Sequence, residues 1–402
     1  MGAREEPRFI WPKDHPFPIS EYQARIAQVK AAMETQELDV LVVANPANMN
    51  YLTGYDGWSF YVPQVVVLAL ELEHPLWIGR AQDVAGARFT CYMDDAHILG
   101  YPEELVQALP LHPMTFVADQ LIQRGLGAAR IGVEYDAYYF SAIAARKLKE
   151  ALPNARFADA STLVNWVRLV KSEAEIAIMR QAGKIADRVM QTAFEHIRPG
   201  LRQCDLAGEI LKAQAIGLLE FGGDYPAIVP LLPTGVRSSA PHLTWSDRPF
   251  EPGSVTFLEL CGCRHRYNVP LARTVCLGRP PQRVLDVAAA MVEGVEATLE
   301  SIRPGVTAEE VHAVWTKTIA RHGLVKKSRL GYSIGIGYPP DWGEGTVSLR
   351  PGSKTELQPN MCFHLMPGIW LEDFGVEISQ PFRVTENGVE CLTQTPRELV
   401  VI

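Results

Sequence analysis

The stretch that most constrains this chain is Val255–Leu277, VTFLELCGCRHRYNVPLARTVCL. It reads as two β-strands, Val255–Cys263 and Tyr267–Leu277. Both are short apolar runs, bounded upstream by Pro-Gly and joined by a charged turn, Arg264-His265-Arg266. Glu259 stands mid-strand between Leu258 and Leu260, so its carboxylate faces either a pocket or a buried partner. Arg273, on the paired strand, is the structural candidate for that partner.

A chain of 402 residues is long for one domain and predicts two or three. With 47% hydrophobic and 21% charged residues it can bury a large core, and its net charge of −8 leaves no electrostatic footprint for nucleic acid. The seven cysteines form no Cys-x-x-Cys pair, and Cys261 and Cys263 read as small core residues in a reducing compartment. No apolar run of about 18 residues predicts a spanning helix, and the charged, Pro-rich N-terminus has no signal core, so the expected location is cytoplasmic.

Residues 1–18 read as an extended arm, followed by a helix from Ile19 to about Gln36 with Ser20 as N-cap. Strands at Leu38–Val43, Val65–Leu70, His74–Gly79 and Arg130–Glu134 then alternate with loops and a helix at Ser141–Ala151, which predicts an α/β domain over residues 1–160. A linker lies within Asp159–Val170, and Ser172 with Glu175 forms a capping box that opens a long helix. Residues 161–402 are expected to form a second domain with an internal repeat. His196-Ile197-Arg198-Pro199-Gly200-Leu201 is echoed by Ser301-Ile302-Arg303-Pro304-Gly305-Val306, each copy lying between two helices.

The hairpin resembles the one that opens the active site of the pita-bread family of methionine aminopeptidases, prolidases, aminopeptidase P and creatinase. Arg273-Thr274 sets the register of that resemblance, which runs from about Ser20 to the end of the chain. It includes the linker segment VRLVKSEAEIAIMRQAGKIAD, the loop GVRSSAPH, Gly331-Tyr332-Ser333-Ile334-Gly335, Met366-Pro367-Gly368 and Glu377-Ile378-Ser379. The resemblance implies an α+β chain: an N-terminal creatinase-like α/β domain, then a C-terminal pita-bread domain with a pseudo-two-fold repeat. The family's five metal-ligand positions read Glu259, Pro270, Tyr332, Met366 and Ser379. A dinuclear site needs several carboxylates and an imidazole, so neither metal nor other cofactor is expected. Creatinase works without metal through the loop histidine, matched by His242. Its two guanidinium-binding glutamates, however, are Ala272 and Met366 here.

The tract Asn48–Val62, NMNYLTGYDGWSFYV, with Phe221–Pro226 and Gly331–Gly335, is similar to the ectoine hydrolase branch. That resemblance implies a homodimer acting on ectoine, a small zwitterion with a cyclic amidine and a carboxylate, with the N-terminal tract closing the partner's pocket. Ectoine's ring suits one carboxylate, aromatic walls and a donor for the acid group. Glu259 and His242 are the expected catalytic residues, and Tyr332, Tyr55, Asp56, Trp58, Phe60, Arg237 and Arg273 the expected substrate-binding ones. Two alternatives stay open at this point: a catalytically silent pita-bread binding protein, and a metal-free amidinohydrolase or amidohydrolase for another small zwitterion.

Overall fold

The computed structural model describes residues 12–402, so most of the arm expected over residues 1–18 lies outside the described residues. The chain divides into two compact units between Arg168 and Leu169, eight residues beyond the expected boundary. The α+β class and the two-part architecture match the sequence reading.

The first unit contains strands β1 (Val40–Val43), β2 (Val65–Ala69), β3 (Leu76–Arg80), β4 (Ile98–Tyr101), β5 (Arg130–Val133) and β6 (Arg156–Asp159). They form one sheet in the order β4-β3-β2-β1-β5-β6. Pairings β1/β5, β5/β6 and β3/β4 are parallel, while β1/β2 and β2/β3 are antiparallel. Every residue of β1 and β2 is buried, as a sheet covered on both faces requires. The first helix, α1 (Ile19–Thr35), begins at the expected residue, but with Pro18 rather than Ser20 at the N-cap. Proline's fixed φ suits that extended cap, which leaves Ser20 inside the first turn. Further along, α2 (Pro46–Thr53) ends on Gly54, at φ 83°, where glycine bears the left-handed conformation without strain.

The second unit opens with α3 (Glu173–His196), whose N-terminus carries the expected Ser172–Glu175 capping box. Then come α4 (Gln203–Ile216), β7 (Val255–Arg264), β8 (Tyr267–Cys276), α5 (Gln282–Ser301) and α6 (Ala308–Ala320). The chain continues through β9 (Gly331–Tyr338), β10 (Asp341–Leu349), β11 (Cys362–Leu365), β12 (Gly368–Trp370), β13 (Gly375–Glu377) and β14 (Gln380–Val384). Strand β9 lies between β8 and β11, β10 pairs with β9, β7 pairs with β8, and β12 and β13 form a separate ribbon. The core beneath them gathers Met291, Val295, Trp315, Phe363, Ile378 and Phe382.

The repeat seen in sequence is a repeat of backbone. Gly200 and Gly305 both adopt left-handed φ, 84° and 86°. Gly200 donates its N–H to the Phe250 carbonyl, and Phe250 donates to Leu201. Gly305 donates to Leu357, and Leu357 to Val306, so each copy pins its helix-linking turn to a later strand entry in the same way.

The hairpin β7–β8 runs in unbroken antiparallel register from Val255↔Cys276 to Arg264↔Tyr267. Its two-residue loop, His265-Arg266, has φ of 47° and 65°, the type I′ geometry whose twist matches the flanking strands. Gly262 has a packing reason: a Cβ there would stand 2.1 Å from the Ala182 carbonyl oxygen and 2.3 Å from the Ala186 nitrogen of α3. The long helix therefore rests directly on the strand that carries Glu259.

Candidate active site

Glu259 is fixed by the backbone on both sides. Its strand pairs Glu259 with Ala272, and its own N–H and C=O exchange hydrogen bonds with Leu231 at 2.9 and 3.1 Å. Period-two alternation puts Leu258 and Arg273 on one face of the hairpin and Glu259 and Ala272 on the other. Arg273 is therefore no partner for Glu259. It is fully buried and donates to the carbonyls of Ala272, Ser379, Thr395 and Pro396 at 2.6–2.7 Å. The expected substrate contact from Arg273 is corrected on the same ground, because every guanidinium nitrogen already serves the fold.

On its own face, Glu259 opens into a cavity of about 590 Å³. The walls come from the loop before β7 (Ile228, Leu231), the loop with Pro241 and His242, Ser328 and Arg329 ahead of β9, and Tyr332 on β9. Pro340, Asp341 and Trp342 at the start of β10, Met366, and Trp370 on β12 complete it. Glu259 is 5% exposed, and no protein donor lies within hydrogen-bond distance of its carboxylate among the described residues. Burial pushes this carboxyl up to about 7, opposed by the charge of Lys326.

The structure thus gathers three of the residues expected from sequence, Glu259, His242 and Tyr332, around one cavity. His242 is exposed at the mouth, and its ring has no hydrogen-bond partner among the described residues. Tyr332 is 7% exposed, accepts a 2.7 Å hydrogen bond from the Trp342 indole N–H, and stands 3.4 Å from His364 Nδ1. Arg237 lies on an exposed 3-10 turn and does not line the cavity, so the carboxylate clamp expected there is corrected. Its side chain projects from a surface loop, whereas the cavity's cation comes from elsewhere.

In the first unit, Tyr55 is also corrected as a substrate contact. It is buried, its hydroxyl sits 2.7 Å from Ser59 Oγ and 3.0 Å from Gln64 Oε1, and its ring packs at a tilt against Trp77. Asp56 is half-buried, and Trp58 is 58% exposed with its ring 4.8 Å from Phe60, which also meets Tyr139.

Sequence reasoning passed over several groups. Arg329 is the guanidinium at the cavity wall, 4.2 Å from the centre of the Tyr332 ring. Trp342 and Trp370 supply aromatic walls. Lys326 lies 4.8 Å from the Trp370 ring and donates to the Gly368 carbonyl, whose strand partner is Glu377. Glu377 is 1% exposed with Oε1 unbonded. Burial and the Glu259 charge push the Glu377 carboxyl up while Lys326 opposes; burial pulls Lys326 down while both glutamates oppose. The available signal was a polar residue interrupting an apolar strand run, as with His364 in Met361–Met366 and Glu377 in Gly375–Ser379.

The former metal-ligand positions do not fit a metal ion. Pro270 has no side-chain donor, and Met366 offers only a thioether. The Tyr332 and Ser379 oxygens are taken up in hydrogen bonds. Among the described residues no group of three or more His, Cys, Asp or Glu could hold a metal ion.

Comparison with known proteins agrees with the architecture. The model of Metallopeptidase family M24 matches residues 177–386, and that of the Creatinase/Prolidase N-terminal domain matches residues 25–170. The chain is 47% identical over 393 residues to the ectoine hydrolase of Halomonas elongata, covering 96% of this chain and 98% of that one. It is also 47% identical over 385 residues to y4tM of Sinorhizobium fredii, described as an uncharacterized hydrolase/peptidase, with the same coverage. Among solved structures, the dipeptidase PepE of Mycobacterium ulcerans superimposes with a TM-score of 0.80 at 25% identity, covering 96% of this chain and 99% of that one.

Proposed function

The chain belongs to metallopeptidase family M24 and carries that family's creatinase/prolidase N-terminal domain, and we propose that it is the hydrolase that opens the cyclic amidine ring of ectoine to N-acetyl-2,4-diaminobutyrate without a metal ion. The observation that carries this reading is Glu259: a buried carboxylate, without a hydrogen-bond donor among the described residues, facing a cavity walled by aromatic rings and a guanidinium. The similarity to an ectoine hydrolase over nearly the whole chain supports the same substrate.

An amidinium entering this cavity meets the Glu259 carboxylate, and a charge-assisted hydrogen bond keeps the ring protonated and electrophilic. Arg329 takes the substrate carboxylate, replacing the arginines expected from sequence. Glu259 then either accepts a proton from a water attacking the amidine carbon or attacks that carbon itself and is freed by water. In both cases one oxygen adds to the carbon and one ring C–N bond breaks. His242 delivers the proton that the leaving nitrogen needs. Trp342, Trp370 and Tyr332 bound the ring and exclude bulk water, which strengthens each charged contact.

The working assembly in this reading is a homodimer whose Tyr51–Val62 tract, with exposed Trp58, closes the partner's cavity. Asp56 and Phe60 belong to that tract. Purified protein incubated with ectoine tests the assignment by proton NMR, where N-acetyl-2,4-diaminobutyrate is the expected product. An unchanged ectoine spectrum would remove it.

A further inference from the structure

Two of the family's former metal-ligand positions, Tyr332 and Ser379, are joined in this chain through a residue that ligates nothing. His364, on β11 and fully buried, places Nε2 2.8 Å from Ser379 Oγ and Nδ1 3.4 Å from the Tyr332 hydroxyl. Ser379 Oγ also accepts the Ala272 backbone N–H at 2.7 Å, and Tyr332 accepts the Trp342 indole N–H at 2.7 Å. Ala272 is the strand partner of Glu259, so the line begins beside the proposed reactive carboxylate and ends at the cavity wall.

The direction of each hydrogen bond follows from counting protons. The Ser379 hydroxyl has no acceptor other than His364 Nε2 among the described residues. If Nε2 carried the ring proton, the serine oxygen would accept twice and its own buried proton would be stranded, at a cost comparable to a lost hydrogen bond. The arrangement that strands no proton in the fully buried interior has Ser379 donating to Nε2, because the hydroxyl then left over belongs to Tyr332, which lines the cavity. With Nε2 accepting from Ser379, the ring proton sits on Nδ1 and is donated toward Tyr332. The tyrosine oxygen receives two donors, one from Trp342 and one from His364. Its own O–H is left without a protein acceptor among the described residues and is available to the cavity that Tyr332 lines.

We propose that Ser379, His364 and Trp342 form a positioning relay that fixes Tyr332 as a one-way hydrogen-bond donor to the substrate, the dismantled metal cradle having been rebuilt as a hydrogen-bond line. The inference rests on the cavity being the substrate site of the proposed function. The ligand group it serves is an acceptor: the substrate carboxylate, or the oxygen added to the amidine carbon during ring opening. Tyr332 is the group that touches substrate; Ser379 and His364 act through it.

The test reads the His364 tautomer directly. In protein labelled with ¹⁵N-histidine and without ligand, the His364 ring signals, assigned by their loss in His364→Asn, should show a protonated Nδ1 and an unprotonated Nε2. Ser379→Ala should abolish that preference. A proton on Nε2 in the wild type, or a Ser379→Ala spectrum that keeps the wild-type tautomer, overturns the relay. On ectoine, Tyr332→Phe should lower kcat/KM by roughly tenfold or more, the loss of one buried hydrogen bond. Ser379→Ala should lower it within that range, and the double variant should be no worse than Tyr332→Phe alone. Losses that multiply would contradict the relay, since independent sites add in free energy. The tautomer is read without substrate, so a protein inert toward ectoine would sink the substrate assignment and leave the relay to be judged on its own spectrum.

Discussion

Glu259 and Arg273 sit one register step apart on a paired hairpin and face opposite ways. Leu258 stands opposite Arg273, and Ala272 stands opposite Glu259. The arginine spends its donors on four backbone carbonyls, while the glutamate faces a cavity and accepts no side-chain hydrogen bond among the described residues. A structural ion pair between them is thereby excluded. What remains is a buried carboxylate that feels the charge of Lys326 but has no hydrogen-bond donor among the described residues.

The first prediction concerns that carboxylate. Glu259→Gln should abolish nucleophile activation and weaken amidinium binding, lowering kcat/KM by at least about 10²-fold. Its melting temperature should stay near the wild type, because no protein hydrogen bond to the carboxylate is lost. Glu259→Asp keeps the charge but withdraws it by about 1.5 Å, one carbon–carbon bond, and should cost on the order of 10²-fold if placement is what matters. Full activity in either variant, or unfolding without chemistry lost, would assign Glu259 to the fold.

His242 acts at the other end of the reaction. His242→Ala should lower kcat by about 10² to 10⁴-fold, the range for a placed proton donor, and change KM little. A variant that raised KM with kcat intact would make His242 a binding group only.

A pH profile follows from the burial of Glu259. Its carboxyl is pushed up to about 7, so it is protonated below that pH and anionic above. The anion is the active form, so kcat/KM of the free enzyme should fall as pH drops through about 7. The same shift has a stability sign. A raised folded pKa favours the folded state at pH below the unfolded value, and that contribution is lost as pH rises toward 7. Catalysis and this stability contribution should therefore move in opposite directions across the window. An acid limb centred near 4 to 5 would contradict the assignment.

Much of this was legible in the sequence, and the limits are physical. The hairpin could be read because apolar strands around a two-residue turn carry a strong local signal, and both Arg-Pro-Gly turns because the same backbone need selects the same residues. Glu259, His242 and Tyr332 could be aligned from motif positions. Arg329, Lys326 and Trp370 could not, since their cavity role depends on loops meeting across sequence separations that periodicity does not encode. Arg237 and Arg273 show the converse. Each sits in a strong motif, yet one faces solvent and the other is consumed by backbone carbonyls. Tyr55 misled for the same reason, its hydroxyl being spent on Ser59 and Gln64.

The dimer prediction rests on the exposed Trp58 and its aromatic neighbour Phe60. Trp58→Ala should raise KM for ectoine about tenfold or more while leaving the melting temperature near the wild type, and light scattering should give a dimer mass. A fully active monomer would refute the proposal that the tract closes a partner's cavity.

The measurement that bears most directly on the account is ectoine turnover after exhaustive chelation, followed by NMR and paired with elemental analysis. With Pro270, Met366, Tyr332 and Ser379 at the former ligand positions, chelated wild-type protein should convert ectoine to N-acetyl-2,4-diaminobutyrate at the untreated rate, and Glu259→Gln should leave ectoine intact. Loss of wild-type turnover on chelation, restored by manganese, cobalt, zinc or iron, would contradict the metal-free mechanism.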